Sequence, residues 1–305
     1  MIDTSVTVNG IPFKNPILTA SGTFGFGREF SEIYDISALG GIVSKGLTLN
    51  PKNGNLGTRI QEVTGGLMNS IGMQNPGVPA FIETELPFMK SLGTVVIANL
   101  GGGTEEEYLK GAELLNATDV DIVELNISCP NVKAGGMAFG IESATAHDIV
   151  SKVRKVLDKK PLWVKLSPNA RNIPEMAKAC EAAGADALSL INTVQAMAID
   201  LKKRKPVFDN VFAGLSGPCV KPIALRMVHE AAGAVKVPIV GLGGIATAED
   251  ALEFLLAGAS LVQLGASQFR DPYAAYKAAT EFAACLEENG FASAAEAINY
   301  IHKNK

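Results

Sequence analysis

The sequence predicts one (β/α)8 TIM barrel, a single domain over residues 1–305 with long βα-loop insertions on its catalytic face. Three observations carry this. Eight short apolar runs alternate with helix-patterned segments, no linker or shift in composition divides the chain, and the extra residues follow strands. The runs are 16–20, 41–44, 94–98, 121–126, 162–166, 187–191, 238–241 and 260–264. A doubly wound open sheet is the alternative, but such sheets usually have fewer strands.

Each run ends in chemistry. Ser21-Gly22 follows the first, Ser44-Lys45-Gly46 closes the second, Asn99 the third and Asn126 the fourth. Lys165-Leu166-Ser167-Pro168-Asn169 ends the fifth and Asn192-Thr193 the sixth. Gly241-Leu242-Gly243-Gly244 ends the seventh and Gly265-Ala266-Ser267 the eighth. Two lysines and several carboxamides at one barrel mouth describe a pocket for a planar, polar, anionic ligand, although a single strand-end lysine is more often a solvated charge.

Between the runs lie helix signals. Thr104 precedes Glu105-Glu106-Glu107, an N-cap followed by acids at the positive helix end. Pro174 and Pro222 suit first turns, Gly184 and Gly258 helix stops. Asp271-Pro272 opens the last long helical pattern and Gly290 closes it. Long insertions follow the second run (47–79), the fourth (132–140) and the sixth (194–218), where lids and binding loops are expected.

The most informative stretch is Glu124-Leu125-Asn126-Ile127-Ser128-Cys129-Pro130-Asn131. An apolar strand here stops in amides, hydroxyl and thiol, and a thiol at this end of a barrel strand can move a proton or attack an electrophile. A small buried cysteine filling a gap is the plainer reading; Pro130 and the flanking amides favour the site. Gly135-Gly136 and Gly140 suit a mobile cover for it. After strands seven and eight, Gly243, Gly244 and Gly265 allow backbone N–H groups to approach a phosphate. Gly241, Gly243 and Ala246 also fit G-x-G-x-x-A, but a dinucleotide fingerprint belongs to a first βα unit, not a seventh.

Composition excludes other classes. With 47% hydrophobic and 19% charged residues and a net charge of −4, there is no electrostatic case for nucleic acid or an anionic membrane. Met1-Ile2-Asp3-Thr4 has no basic-then-apolar run, and no apolar stretch reaches the ~18 residues of a membrane span, so the expected setting is the cytoplasm. Cys129, Cys180, Cys219 and Cys285 form no C-x-x-C pair, and His147, His229 and His302 are scattered, which argues against disulfides, iron–sulfur and other metal sites in this chain.

Ala20-Ser21-Gly22, Ser44-Lys45-Gly46, Asn69-Ser70-Ile71-Gly72-Met73-Gln74-Asn75-Pro76-Gly77, the Asn126 to Asn131 segment, the Lys165 to Asn169 segment, Asn192-Thr193, Gly214-Leu215-Ser216-Gly217-Pro218 and Gly243-Gly244 together closely resemble the dihydroorotate dehydrogenases, in order and spacing over essentially the whole chain. Ala20-Ser21-Gly22-Thr23-Phe24-Gly25-Phe26-Gly27 and Gly65-Gly66-Leu67-Met68-Asn69 resemble the NAD-linked class 1B catalytic subunit more than the fumarate-linked class 1A homodimer. Class 2 enzymes differ, with Ser at the base position and an N-terminal membrane-associating extension.

The resemblance implies FMN in this chain, oxidation of dihydroorotate to orotate in pyrimidine biosynthesis, and no metal. It implies a homodimer core joined by an electron-transfer subunit carrying FAD and [2Fe-2S], a heterotetramer that delivers electrons to NAD+. Cys129 is then the general base; Lys45, Asn69, Ser70, Ile71, Gly72, Met73, Asn126, Asn131, Asn192 and Thr193 bind substrate. Ser21, Lys45, Gly46, Asn99, Asn126, Lys165, Ile191, Gly217, Gly243, Gly244, Gly265 and Ala266 hold FMN, with Lys165 near flavin N1, where its charge would stabilise the reduced anion. Lys202-Lys203-Arg204-Lys205 is a possible partner contact, a solvated loop face being the plainer reading. Three rivals are a Schiff-base aldolase using Lys165 or Lys45, a non-catalytic phosphate-binding barrel, and a pyrimidine-reducing flavoenzyme of the dihydropyrimidine dehydrogenase type.

Overall fold

The computed structural model describes residues 2–128 and 139–304. All eight expected runs become strands of a closed parallel barrel: β1 (Ile17–Thr19), β2 (Gly41–Val43), β3 (Val95–Leu100), β4 (Ile122–Asn126), β5 (Leu162–Lys165), β6 (Ala187–Leu190), β7 (Ile239–Leu242) and β8 (Ala259–Leu264). Each pairs with its sequence neighbours, β8 with β1 included, so β1 faces β5 and β4 faces β8 across the interior. The strands read as continuous apolar runs because helices cover their outer face and side chains fill the barrel. Every residue of β4, β5, β6 and β7 is buried.

The helices lie where their caps place them. Thr104 accepts a hydrogen bond from Glu107 N to start helix Glu105–Asn116, and Thr247 forms a capping box with Asp250 at helix Ala248–Ala257. Helix Ser143–Val156 turns Ala146, Ile149, Val150 and Val153 inward at helical spacing. Pro174 and Pro222 sit in first turns, and Gly184 and Gly258 take positive φ just past helix ends.

Three features exceed the barrel reading. Residues Val6–Val8 and Ile11–Phe13 form an antiparallel hairpin across Asn9-Gly10, both at positive φ, as a two-residue turn demands. Phe13 packs against Trp163 of β5, whose indole N–H donates to Asn9 Oδ1 at 2.8 Å.

The insertions after β2 and β6 are not loops. They combine in one antiparallel sheet, ordered Val194–Met197, Phe212–Ser216, Gly66–Asn69, Ile60–Val63. Its own small core is Met68, Phe208 and Ala213. The basic run at 202–205 is likewise ordered: it turns a short hairpin of Ile199–Asp200 with Lys205–Pro206, exposed, with Asp200 Oδ1 accepting from the N–H of Lys202 and Lys203.

His229 and His302, far apart in sequence, stack at 3.9 Å between ring centroids, so the histidines are less scattered than the sequence suggests. No helix among the described residues is long and apolar enough to cross a membrane.

Candidate active site

One cavity of about 560 Å³ opens at the C-terminal ends of the barrel strands, within the ~300–1,000 Å³ of ligand and cofactor sites. Ser21, Lys45, Gly46, Asn69, Ser70, Ile71, Gly72, Met73, Asn99, Asn126, Lys165, Ile191, Asn192, Thr193, Gly217, Gly243, Gly244, Gly265 and Ala266 all line it. Thus the expected site residues that are described come together from all eight strand ends. Cys129 and Asn131 lie outside the described residues.

The insertion sheet roofs this cavity, and short bonds lock its position. Asn69 Nδ2 donates to Gly214 O at 3.3 Å. Ser70 ties both insertions together: Asn55 Nδ2 donates to its hydroxyl and carbonyl, and Asn210 Nδ2 to its hydroxyl. Met73 sits at φ 54°, a left-handed conformation that costs a non-glycine residue on the order of 1 kcal/mol. Asn75 offsets this by buried bonds. Its Nδ2 donates to Met73 O and Thr48 Oγ1, and its Oδ1 accepts from the N–H of Thr48 and Gly77.

On the barrel side, Asn126 Oδ1 accepts from Ser128 N at 3.2 Å and Ser128 Oγ at 2.6 Å, and Asn192 Nδ2 donates to the same Ser128 hydroxyl. The turn leading to Cys129 is therefore held from both β4 and β6. Gly140 sits so close to Ile127 O that a Cβ would meet it at 2.6 Å. Cys180 and Cys285 are buried in helices, where desolvation pushes their thiols up to about 12 and about 11. Neither can act as a base near neutral pH.

The cavity is cationic. Burial, then the nearby Arg59 guanidinium, holds the Lys45 ammonium below the usual lysine range. Lys52 and Arg59, from the insertion after β2, also line the cavity. Neither was singled out in the sequence, because an insertion shows no register that would aim a side chain inward. Gln263, which lines the cavity and donates to Glu124, was also missed; a lone polar residue inside an apolar run was the available signal.

The glycines divide into two kinds. Gly243 and Gly244 take φ of 124° and 81°, and a Cβ on Gly244 would meet Lys221 N at 2.7 Å and Gly217 O at 2.9 Å. These glycines are required by the chain itself. Gly265 is different: its Cβ would meet only Ala20 at 3.5 Å, an ordinary contact, so the space beside it is left for something else. Next to Gly217 and Gly244, helix Lys221–Ala232 begins without a side-chain cap, which suits a phosphate.

Deeper in, Asn99 and Gln263 line the cavity, and Asn99 Oδ1 and Gln263 Oε1 are buried without a hydrogen-bond partner. Unpartnered acceptors, fixed amides, a buried lysine and a glycine-lined end match a flat heterocycle bearing N–H groups and a phosphate tail. The residues fit FMN.

Comparison with known proteins agrees with this geometry. The profile of the dihydroorotate dehydrogenase family matches residues 3–286. A protein of Petrotoga mobilis is 56% identical over 296 residues, covering 97% of this chain and 98% of its own length. Proteins of Geotalea uraniireducens and Geobacter sulfurreducens are each 54% identical over 300 residues, covering 98% of both chains. All three are named dihydroorotate dehydrogenase B (NAD(+)), catalytic subunit. The resemblance carried by the strand-end motifs thus extends over the whole barrel, and the chain belongs to the dihydroorotate dehydrogenase family.

Proposed function

We propose that this chain is the catalytic subunit of a class 1B dihydroorotate dehydrogenase, oxidising (S)-dihydroorotate to orotate in cytoplasmic pyrimidine biosynthesis. The observation that carries this is the convergence, in one cavity, of carboxamides, two lysines and a glycine-lined end, in a chain whose relatives bear that name. Ser21, Gly46, Asn99, Ile191, Gly217, Gly243, Gly244, Gly265 and Ala266 hold FMN with Lys45, Asn126 and Lys165. Bound FMN supplies the acceptor for the hydride leaving substrate C6.

The chain's own work is binding and proton transfer. Lys45 meets the substrate carboxylate, and its partial burial strengthens that attraction. Asn69, Asn126, Asn131, Asn192 and Thr193, with the Ser70 to Met73 backbone, match a ring that carries both donors and acceptors. Cys129 takes the C5 proton; Ser128, which precedes it, is held by Asn126 and Asn192. Electrons leave through a partner subunit bearing FAD and [2Fe-2S] and reduce NAD+, in a heterotetramer built on a homodimer of this chain.

The test is Cys129→Ala in stopped flow with dihydroorotate. FMN should remain bound while its reduction slows by about 100-fold or more near neutral pH. Reduction at the wild-type rate would remove Cys129 from the mechanism.

A further inference from the structure

Inside the barrel, a layer usually filled by branched apolar residues is polar. Glu124 of β4 is 0% exposed. Its Oε1 accepts from Asn99 Nδ2 of β3 at 2.6 Å, and its Oε2 accepts from Gln263 Nε2 of β8 at 2.8 Å. The second bond spans the barrel, because β4 and β8 stand opposite each other. Lys165, at the end of β5, places Nζ 3.8 Å from Glu124 Oε1 and donates to Ser21 Oγ at 3.3 Å, beyond β1 on the far side. Two links thus cross the interior and meet at this ion pair, directly beneath the cavity that Lys165 lines.

A buried carboxylate with both oxygens fixed by amides is costly to desolvate and adds little stability over an apolar replacement. Its use must then lie in what it holds. Nothing else acidic pairs with Lys165 among the described residues. The ammonium donates to Ser21 Oγ and stands beside Glu124, and Lys165 itself lines the cavity.

We propose that Glu124 is a positioning residue for Lys165: its carboxylate keeps the lysine charged and fixed at the cavity floor, so that the cofactor meets an ammonium and not a neutral amine. The clause about the cofactor rests on the FMN reading above; the Glu124–Lys165 relation does not. Burial alone pushes the Lys165 proton off, and the Glu124 charge opposes that push. Removing the charge while keeping the shape leaves desolvation unopposed, and Lys165 then loses its proton at lower pH.

The experiment reads Lys165 itself, first without cofactor. The chain is exposed to cyanate across pH 6–11, and carbamylation of Lys165 is followed by peptide mass spectrometry, with exposed Lys178 as internal reference. In Glu124→Gln the midpoint of the Lys165 pH profile should fall by about one unit or more relative to wild type. In Glu124→Asp, which keeps the charge, it should stay nearer wild type; a role in packing alone would disturb both variants alike. The midpoint, not the absolute rate, is compared, so limited access to the buried amine does not confuse the result.

With FMN added, the visible spectrum and midpoint potential of Glu124→Gln should gain a pH-dependent step below pH 10. Neither wild type nor the double variant Glu124→Gln/Lys165→Met should show that step. Superimposable Lys165 profiles in wild type and Glu124→Gln overturn the proposal. Should Glu124→Gln not fold, the wild-type profile decides: a Lys165 already reacting as a neutral amine at pH 7.5 overturns it, and one that reacts with a midpoint well above supports it. Failure of the wild-type chain to bind FMN would sink the flavin reading alone and leave the cyanate result standing.

Discussion

At the scale of single residues, the two kinds of glycine make different predictions. Any side chain at Gly244 collides with the Lys221 backbone and suffers its φ of 81°, so loss of FMN from such a variant would not separate ligand from fold. Gly265→Ala is the cleaner probe. The protein accepts its methyl group at 3.5 Å from Ala20, so melting should shift by no more than a degree or two. FMN binding should nonetheless weaken by about tenfold, roughly 1.4 kcal/mol, through lost backbone approach. Fluorescence titration with FMN checks it; unchanged affinity would move the phosphate elsewhere.

Lys45 supplies a second residue-scale prediction. Its free-state pKa is lowered by burial and then by Arg59, and a carboxylate ligand alongside would raise it again. The liganded state therefore binds the extra proton more tightly. Orotate affinity should be full below the free-state pKa and fall as pH rises through it, starting below the usual lysine value of about 10.4. Lys45→Met should bind more weakly and lose this slope. Orotate binding to wild type that stays flat up to the ordinary lysine range would exclude Lys45 from the carboxylate contact. Lys45 was legible in the sequence because it ends a strand whose register is fixed by burial. Arg59 and Lys52 were not: Arg59 precedes the Ile60–Val63 strand and Lys52 makes only an isolated bridge with Asn75, so neither sits in a register that local pattern could show.

At the scale of elements, the barrel strands were legible and the roof was not. Each barrel run is buried on both faces, so apolar continuity alone marks it, and all eight appear within two residues of expectation at either end. The roof strands are four or five residues long, two of them carry a glycine, and each has only one or two alternations. Their partners lie far away in sequence, as Asn69 opposite Gly214 shows. Local pattern cannot register such a pairing. The Val6–Phe13 hairpin is the opposite case: Asn9-Gly10 between alternating residues is a strong signal that the barrel reading passed over.

Because the roof has its own core, it should fail separately. Phe208 is 1% exposed and packs with Met68 and Ala213 away from the main core. Phe208→Ala should cost about 3 kcal/mol or more locally. Hydrogen exchange should speed at 60–69 and 194–216 while β1 to β8 stay protected. The KM for dihydroorotate should rise several-fold with FMN still bound, since the roof supplies Asn69 to Met73 and reaches the glycine end of the cavity only at Gly217. Loss of protection throughout the barrel would show that roof and barrel form one cooperative unit.

At the scale of the whole molecule, the decisive question is where the electrons go. An iron–sulfur cluster takes about four thiolates at one point. The chain has four cysteines in all, and the three among the described residues lie in separate parts of the fold. Cys180 is buried in helix Ile173–Ala182, Cys285 in helix Ala274–Glu288, and Cys219 is exposed beside Gly65 and Gly66. The G-x-G-x-x-A pattern is likewise spent, its first glycine inside β7 and the next at the cavity wall. Among the described residues, no cluster of three or more cysteine, histidine or acidic side chains is placed to hold a metal. The isolated chain, loaded with FMN, should therefore take electrons from dihydroorotate readily and pass them to NAD+ slowly. Adding an electron-transfer subunit should restore NADH formation while leaving the first half-reaction nearly unchanged, because residues of this chain line the strand-end cavity. Electron transfer demands proximity, so that subunit should dock at the strand-end face. A stopped-flow comparison of the isolated chain and the reconstituted complex measures both half-reactions. Rapid NADH production by the isolated chain would sink the two-subunit reading, and a strong preference for fumarate would place the protein in class 1A instead.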